Sequence, residues 1–231
     1  VVCNGAASSG GGGPWGGSSS ENSSPEAIEA KGTITINGSF VYAKSADDAI
    51  NAAGDLTING GCVCAYATNN DGIDATGNCY IKGGLVYAIG STSPEVAIDA
   101  NTEEGKKLYI SGGTVIAIGN LESGASITGG MAKQTTSWTA QKWYALYNGD
   151  QLVAAFQTPA KSTSSGGGGG PGGGGPGGGG GSSQKMIVYT SSTPALTYGV
   201  TPGGTSILNG MVYYPASVSG GSSVSLSNNS S

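Results

Sequence analysis

Acidic residues recur at one spacing in the first half of this chain, and that spacing points to chemistry. Twelve of the fourteen acids fall between Glu21 and Glu104. Glu26, Asp48, Asp71 and Glu95 precede the isoleucine of a repeated phrase, and Glu29, Asn51, Asp74 and Asp99 follow it directly; Asp47 stands beside Asp48. In stacked copies ~4.8 Å apart, two such carboxylates repel by ~1 kcal/mol in water and by several times that when partly buried. A cation removes this cost. Ca²⁺ suits the site, because it takes oxygen ligands from Asp, Glu and Asn side chains and from backbone carbonyls. The sharpest candidate is the turn "NNDGIDA", with Asp71 and Asp74, set between Asp48 on one side and Glu95 and Asp99 on the other. The plainer alternative is that these acids solvate the outer corners of the fold. The four cysteines, Cys3, Cys62, Cys64 and Cys79, lack the paired C-x-x-C spacing of a zinc site. A disulfide in an exported protein is the better reading.

The elements that hold these residues are written as a repeat. The copies read "PEAIEAKGTITINGSFVYAKS" from Pro25, "DDAINAAGDLTINGGCVCAYAT" from Asp47, "DGIDATGNCYIKGGLVYAIGS" from Asp71 and "EVAIDANTEEGKKLYISGGTVIAIGN" from Glu95. Their key isoleucines, Ile28, Ile50, Ile73, Ile98 and, in a decayed fifth copy, Ile127, are 22, 23, 25 and 29 residues apart. A period in the low twenties with internal alternation predicts an all-β solenoid. Three short strands per turn, cornered by glycines, predict a right-handed parallel β-helix of about four to five turns of 22–25 residues.

Alternation assigns the faces. Ile34, Leu56, Cys79 and Leu108 form one inward column, and Ile36, Ile58, Ile81 and Ile110 the next. The glycine turns Asn37-Gly38, Gly60-Gly61, Gly83-Gly84 and Gly112-Gly113 follow. Then Val41, Val63, Val86 and Val115 point inward, as do Ala43, Ala65, Ala88 and Ala117, while Tyr42, Cys64, Tyr87 and Ile116 point outward. Cys62 also points outward. A Cys62–Cys64 bond would strain its strand, so the expected bridge joins Cys3 to Cys62 or Cys64, within one subunit or to the next. Cys79 stays a buried thiol.

Around the repeat, composition divides the chain. Residues 1–24 form a Gly/Ser-rich arm anchored by Cys3 and Trp15; 25–136 form the β-helix; 137–163 form an antiparallel hairpin around "YNGD" that caps one end. Residues 164–183 are a Gly/Pro tract expected to pack in polyproline-II geometry, and 184–231 add C-terminal strands beside the tryptophan strands. The net charge is −5, with no Arg and no His. That excludes nucleic-acid binding and removes the commonest general base. No apolar run of ~18 residues exists to span a membrane. The opening "VVCNG", without Met, suggests an exported chain whose signal has been removed.

The phrases "IEAKGTITINGSFVYAKSADDAINAAGDLTINGG" and "GIDATGNCYIKGGLVYAIG" resemble the carbohydrate-binding β-helix domain family of bacterial surface proteins, which is similar in fold to pectate-lyase-type enzymes and binds calcium. The resemblance is closest over residues 25–128. It implies an extracellular β-helix with Ca²⁺ at the acidic turns and affinity for acidic, pectin-like polysaccharide. Tyr42, Tyr66, Tyr80 and Tyr87, on outward positions of adjacent turns, are candidate sugar platforms or else ordinary cross-strand ladders. A lyase would need Lys44 or Lys82 as its base, and a lone Lys per turn is more often a solvated side chain, so no enzyme is expected. Two functions stay open. One is a structural subunit that self-assembles into a calcium-stabilised fibre or matrix by end-to-end stacking and donated strands. The other is a monomeric calcium-dependent module that binds polysaccharide.

Overall fold

A computed structural model describes residues 2–4, 26–92, 94–160 and 185–227, and these residues are all-β, with two short 3-10 turns. The rest of the N-terminal arm, Trp15 included, and the Gly/Pro tract at 164–183 lie outside the described residues. The first strand, β1 (Val2–Asn4), is followed by three strands per repeat: β2 (Ile28–Ala30), β3 (Ile34–Ile36) and β4 (Phe40–Ser45), then β5 (Ile50–Ala52), β6 (Leu56–Ile58) and β7 (Cys62–Ala67). The third copy gives β8 (Ile73–Ala75), β9 (Cys79–Ile81) and β10 (Leu85–Ile89). The fourth gives β11 (Leu108–Ile110) and β12 (Thr114–Ile118), with Ile98 bridging to Ile73 in place of a first strand.

Each of the first three copies thus adds one strand to each of three stacks, and the fourth adds one to the second and third. β2-β5-β8 is one, β3-β6-β9-β11 the second and β4-β7-β10-β12 the third, all parallel and in register. The expected inward columns form: Ile34, Leu56, Cys79 and Leu108 pair across β3, β6, β9 and β11, and Val41, Val63, Val86 and Val115 across the third stack. These side chains merge with Ile50, Ile73 and Ile98 into one continuous apolar core. No single copy could bury it alone, so stacking supplies the stability that short strands lack.

Two alignments differ from the sequence reading. The turn column is Gly38-Ser39 over Gly60-Gly61, because Phe40 pairs with Cys62; Ser39, not Gly38, takes the left-handed position, with φ 76°. In the fifth copy it is Leu121 that bridges to Ile98, 23 residues on, while Ile127 pairs with Ile110. The period does not decay. The fourth copy carries a short 3-10 turn, Thr102–Glu104, between its corner and β11; the next key position holds Leu121 rather than Ile, which leaves Ile127 as the next isoleucine in the sequence.

The fifth copy continues as β13 (Ser126–Ile127), beside β11, and β14 (Ala132–Thr136). Next come β15 (Trp143–Asn148), β16 (Gln151–Gln157), β17 (Met186–Thr190), β18 (Pro194–Tyr198), β19 (Thr201–Ile207), β20 (Val212–Ser219) and β21 (Ser222–Ser223). β14 does not pair with β12. The tail strand β17 runs antiparallel between them, hydrogen-bonded to β12 on one edge and β14 on the other. At the opposite edge β1 pairs with β4, completing the seven-stranded order β1-β4-β7-β10-β12-β17-β14. The tail strand β17 thus belongs to the largest sheet of the coils.

The hairpin β15–β16 turns at Gly149 and pairs with β18 and β20 in a second, six-stranded sheet. Its place differs from the expected cap at one end. It lies along the flank of the seven-stranded sheet, where Tyr144, Leu146, Phe156, Leu196 and Val212 pack on Tyr42, Cys64, Tyr87 and Ile116. The outward column of the repeats is thus the floor of a second core rather than a solvent face. Its apolar character, Tyr-Cys-Tyr-Ile, is what a covered face requires.

Candidate functional site

The acid corner lies where each third-stack strand gives way to the next copy's first strand. Register sets Glu26 level with Asp48, and Glu29 with Asn51, Asp74 and Asp99. Asp48 is level with Asp71, but the copy that follows is longer, so Asp71 is level with Val96, and Glu95 with Asn70. The acids cap the chain above them. Asp48 Oδ1 accepts from the Asp71 backbone N–H at 3.0 Å, and Asp71 Oδ1 accepts from the Val96 N–H. The Asn51 amide donates to Asp48 and to Asp74, each at 3.0 Å, and Asn70 donates to Asp47 at 2.7 Å. Glu29 is ion-paired with Lys31. A second corner repeats the device, with Asp55 accepting from the Asn78 N–H at 2.8 Å and Asn78 from the Lys107 N–H at 3.1 Å.

Burial dominates the electrostatics of this corner. Asp48 and Asp71 are 5% and 8% exposed. Desolvation pushes the Asp48 carboxyl up to about 6, with Asn51 and the Asp71 N–H opposing. It pushes Asp71 up to about 7, helped by Asp48, Glu95 and Asp74. Asp74 is raised by burial and by Glu26, whose Oε2 is buried without a partner. Asp99, at about 8, is raised by burial and by its hydrogen bond to Glu122. Burial would raise Glu122 too, but hydrogen bonds from Asp99, Ser123 and Thr102 hold it below its ordinary value.

These contacts decide how the corner meets the expectation of Ca²⁺. Amide and backbone donors stand where a cation would, and among the described residues no group of three or more His, Cys, Asp or Glu side chains converges on a metal-sized space. A calcium cage needs six to eight oxygens aimed at one point. The side chains as placed do not fit one, and N–H donors face Asp48, Asp71 and Asp74 instead.

The tyrosines separate into two groups. Tyr42 and Tyr87 lie in the second core, and the Tyr87 hydroxyl donates to the Gln157 carbonyl at 2.8 Å, so neither presents a ring to solvent. Tyr66 is half-buried, with the Lys44 ammonium 4.9 Å from its ring centre. Tyr80 stands half-buried on the outer face of the second stack. Tyr109, one coil on, stacks against it at 5.0 Å and 10°, and Lys82 lies 5.0 Å from the Tyr80 ring. The sequence reading passed over Tyr109. Its signal was the match of "CYI" with "LYI" in successive copies.

The cysteines do not meet. β1 pairs with β4, which sets Cys3 level with Ala43 in an inward-facing column, with β4 between β1 and β7. Cys62 and Cys64 face the second core on β7. All four thiols are free, and burial raises Cys62, Cys64 and Cys79 above the ordinary thiol range. Within one subunit the expected bridge from Cys3 to Cys62 or Cys64 is thereby corrected, since strand alternation sends them to opposite sides of the sheet.

A family model described as "Carbohydrate-binding domain-containing protein" matches residues 6–68. No curated protein and no solved structure matches the chain. Among the described residues no helix is long and apolar enough to cross a membrane.

Proposed function

We propose that this chain is a non-catalytic carbohydrate-binding module presented outside the cell or on its surface, carried on a right-handed parallel β-helix. The observation that carries the reading is the family match, which takes in the first two copies of the repeat from β2 through β7. The winding is supported by the constant order in which each copy visits the three stacks, and by the right-handed rule for crossovers between parallel strands. A rigid stack with aromatic side chains at fixed ~4.8 Å steps is a suitable frame for a polymer of repeating sugars. With no His and no Arg, the surface offers little for proton abstraction beside a uronate. Calcium takes no part in this reading. The test is co-sedimentation with a panel of insoluble neutral and acidic polysaccharides, followed by assay for unsaturated uronate products. Retention on at least one polysaccharide without product release is expected. Passage through all of them unretained overturns the reading.

A second reading, assembly into a fibre, is favoured by one feature. At the N-terminal end of the stack, β2 and β3 are the last strands of their sheets among the described residues, and Ile28, Ile34 and Ile36 there are only partly buried. A second copy could add its own coils to that edge. Light scattering across a hundred-fold dilution checks it: dilution-resistant polymers support assembly, and a monomer throughout removes it.

A further inference from the structure

The glycine corner of the coils forms a trough that neither the tyrosine face nor the acid corner includes. Phe40, Cys62, Leu85 and Thr114 pair in register as one column across four coils. The adjacent column supplies Ser39, Gly61 and Gly84. Here stacking itself forbids side chains: a Cβ on Gly61 would lie 2.5 Å from the Ser39 carbonyl oxygen, and one on Gly84 would lie 2.6 Å from that of Gly61. At Gly61 and Gly84 the floor is therefore bare backbone, and Ser39 at its end is the column's one side chain in the lining. The six-stranded sheet closes the far side with Val153 and Tyr214, and the space enclosed is about 470 Å³. Four coils at the strand spacing make it ~14 Å long.

Two features give this trough a ligand chemistry. Phe40 and Tyr214, among its lining residues, are the large hydrophobic side chains left exposed on the described surface, at 51% and 42%. Exposed aromatic rings beside a narrow floor suit a ligand with flat C–H faces and a hydroxylated rim, whose faces stack on the rings. None of the lining residues is charged, while hydroxyls stand at Ser39, Thr114 and Tyr214. A carboxylated sugar would be desolvated there with no cation to meet it, whereas a neutral one loses nothing of that kind.

We infer that the trough between Phe40 and Tyr214 binds a short run of a neutral, uncharged hexose polymer. The inference rests on the carbohydrate-binding reading above and narrows it, against the acidic polysaccharide that the sequence resemblance implies. Phe40, Ser39, Gly61 and Cys62 fall within the stretch that the family model matches, while Thr114, Val153 and Tyr214 of the trough fall outside it, as do Tyr80 and Tyr109.

The test is isothermal titration of the full chain with neutral hexaoses, namely cellohexaose, mannohexaose and maltohexaose, and with hexagalacturonate, at low and high salt. One neutral hexaose is expected to bind with little salt dependence. Phe40→Ala and Tyr214→Ala should each weaken it roughly ten-fold. Both side chains are exposed, so unchanged circular dichroism and melting are expected. Thr114→Trp, which fills the trough and leaves both rings in place, should abolish binding, and Tyr80→Ala with Tyr109→Ala should leave it unchanged. Binding of hexagalacturonate alone, or loss with the tyrosine pair and not with Phe40, overturns the inference and leaves carbohydrate binding standing. Failure of all four hexaoses together with all the insoluble polysaccharides overturns both.

Discussion

Ser39 holds a φ of 76° in the column where Gly61, Gly84 and Gly113 hold 88°, 83° and 80°. A side chain in that left-handed region costs about 1–2 kcal/mol, part of which glycine gives back through the greater freedom of its unfolded chain. Ser39→Gly should therefore raise stability by about 0.5 kcal/mol, read from urea unfolding. Gly61→Ala adds the same strain and drives a methyl into the Ser39 carbonyl, so a loss of at least about 2 kcal/mol is expected. The acid corner makes a prediction of opposite character. Asp48, Asp71 and Asp99 hold protons at about 6, 7 and 8 in the folded chain, against an ordinary value of 3.8 for Asp. Between about pH 4 and pH 8 the folded state thus binds more protons than the unfolded one, and stability falls as pH rises through that window. Tm should be several degrees higher at about pH 5 than at about pH 8.5. Asp71→Asn keeps the acceptor for the Val96 N–H and removes the charge, so it should flatten the profile by gaining stability at the alkaline end. An unchanged profile would refute this account of the corner.

Elements of the repeat were legible because each inward column is chemically uniform, with Ile at 36, 58, 81 and 110 and Ala at 43, 65, 88 and 117. Period-two alternation then fixed the faces of the coil strands, and the matching columns fixed the register of the strands in the first four copies; the fifth copy, where Leu121 stands in the isoleucine column, was misaligned. What alternation cannot say is whether an outward face meets water or another sheet. Tyr42, Cys64, Tyr87 and Ile116 were read as outward and are so, yet they are buried, because the partner that covers them lies outside the repeats, from Tyr144 onward, in a differently patterned segment. The sugar platform suffered for the same reason: Tyr42 and Tyr87 dropped out, and Tyr109 entered. The trough was not legible either, since Tyr214 reaches Phe40's column only through the packing of β20. The two sheets are joined by the hydrogen bond from Tyr87 to the Gln157 carbonyl. Tyr87→Phe removes that donor from the carbonyl and should cost about 1 kcal/mol, with the fold otherwise intact by circular dichroism.

The molecule as a whole is a stack of coils flanked by an antiparallel sheet, and neither part is closed without the other. A chain ending at Pro159 would lose β17 to β21 and uncover much of the second core. It should bind a hydrophobic dye, elute as aggregate and melt without a sharp transition; a monomeric, cooperatively melting fragment would show the coils to be independent. The position of β17 also has a meaning in time. During synthesis the chain lays down β12 and β14 in order, yet the strand that belongs between them begins fifty residues after Thr136. The fourth and fifth coils therefore wait, with the edge of β12 open, until the ribosome has made Thr190. Folding of this repeat protein cannot simply follow its own repeats from first to last; it is finished from the far end by a latch. Any pause in synthesis before that latch arrives exposes an edge that a strand from another nascent chain can occupy.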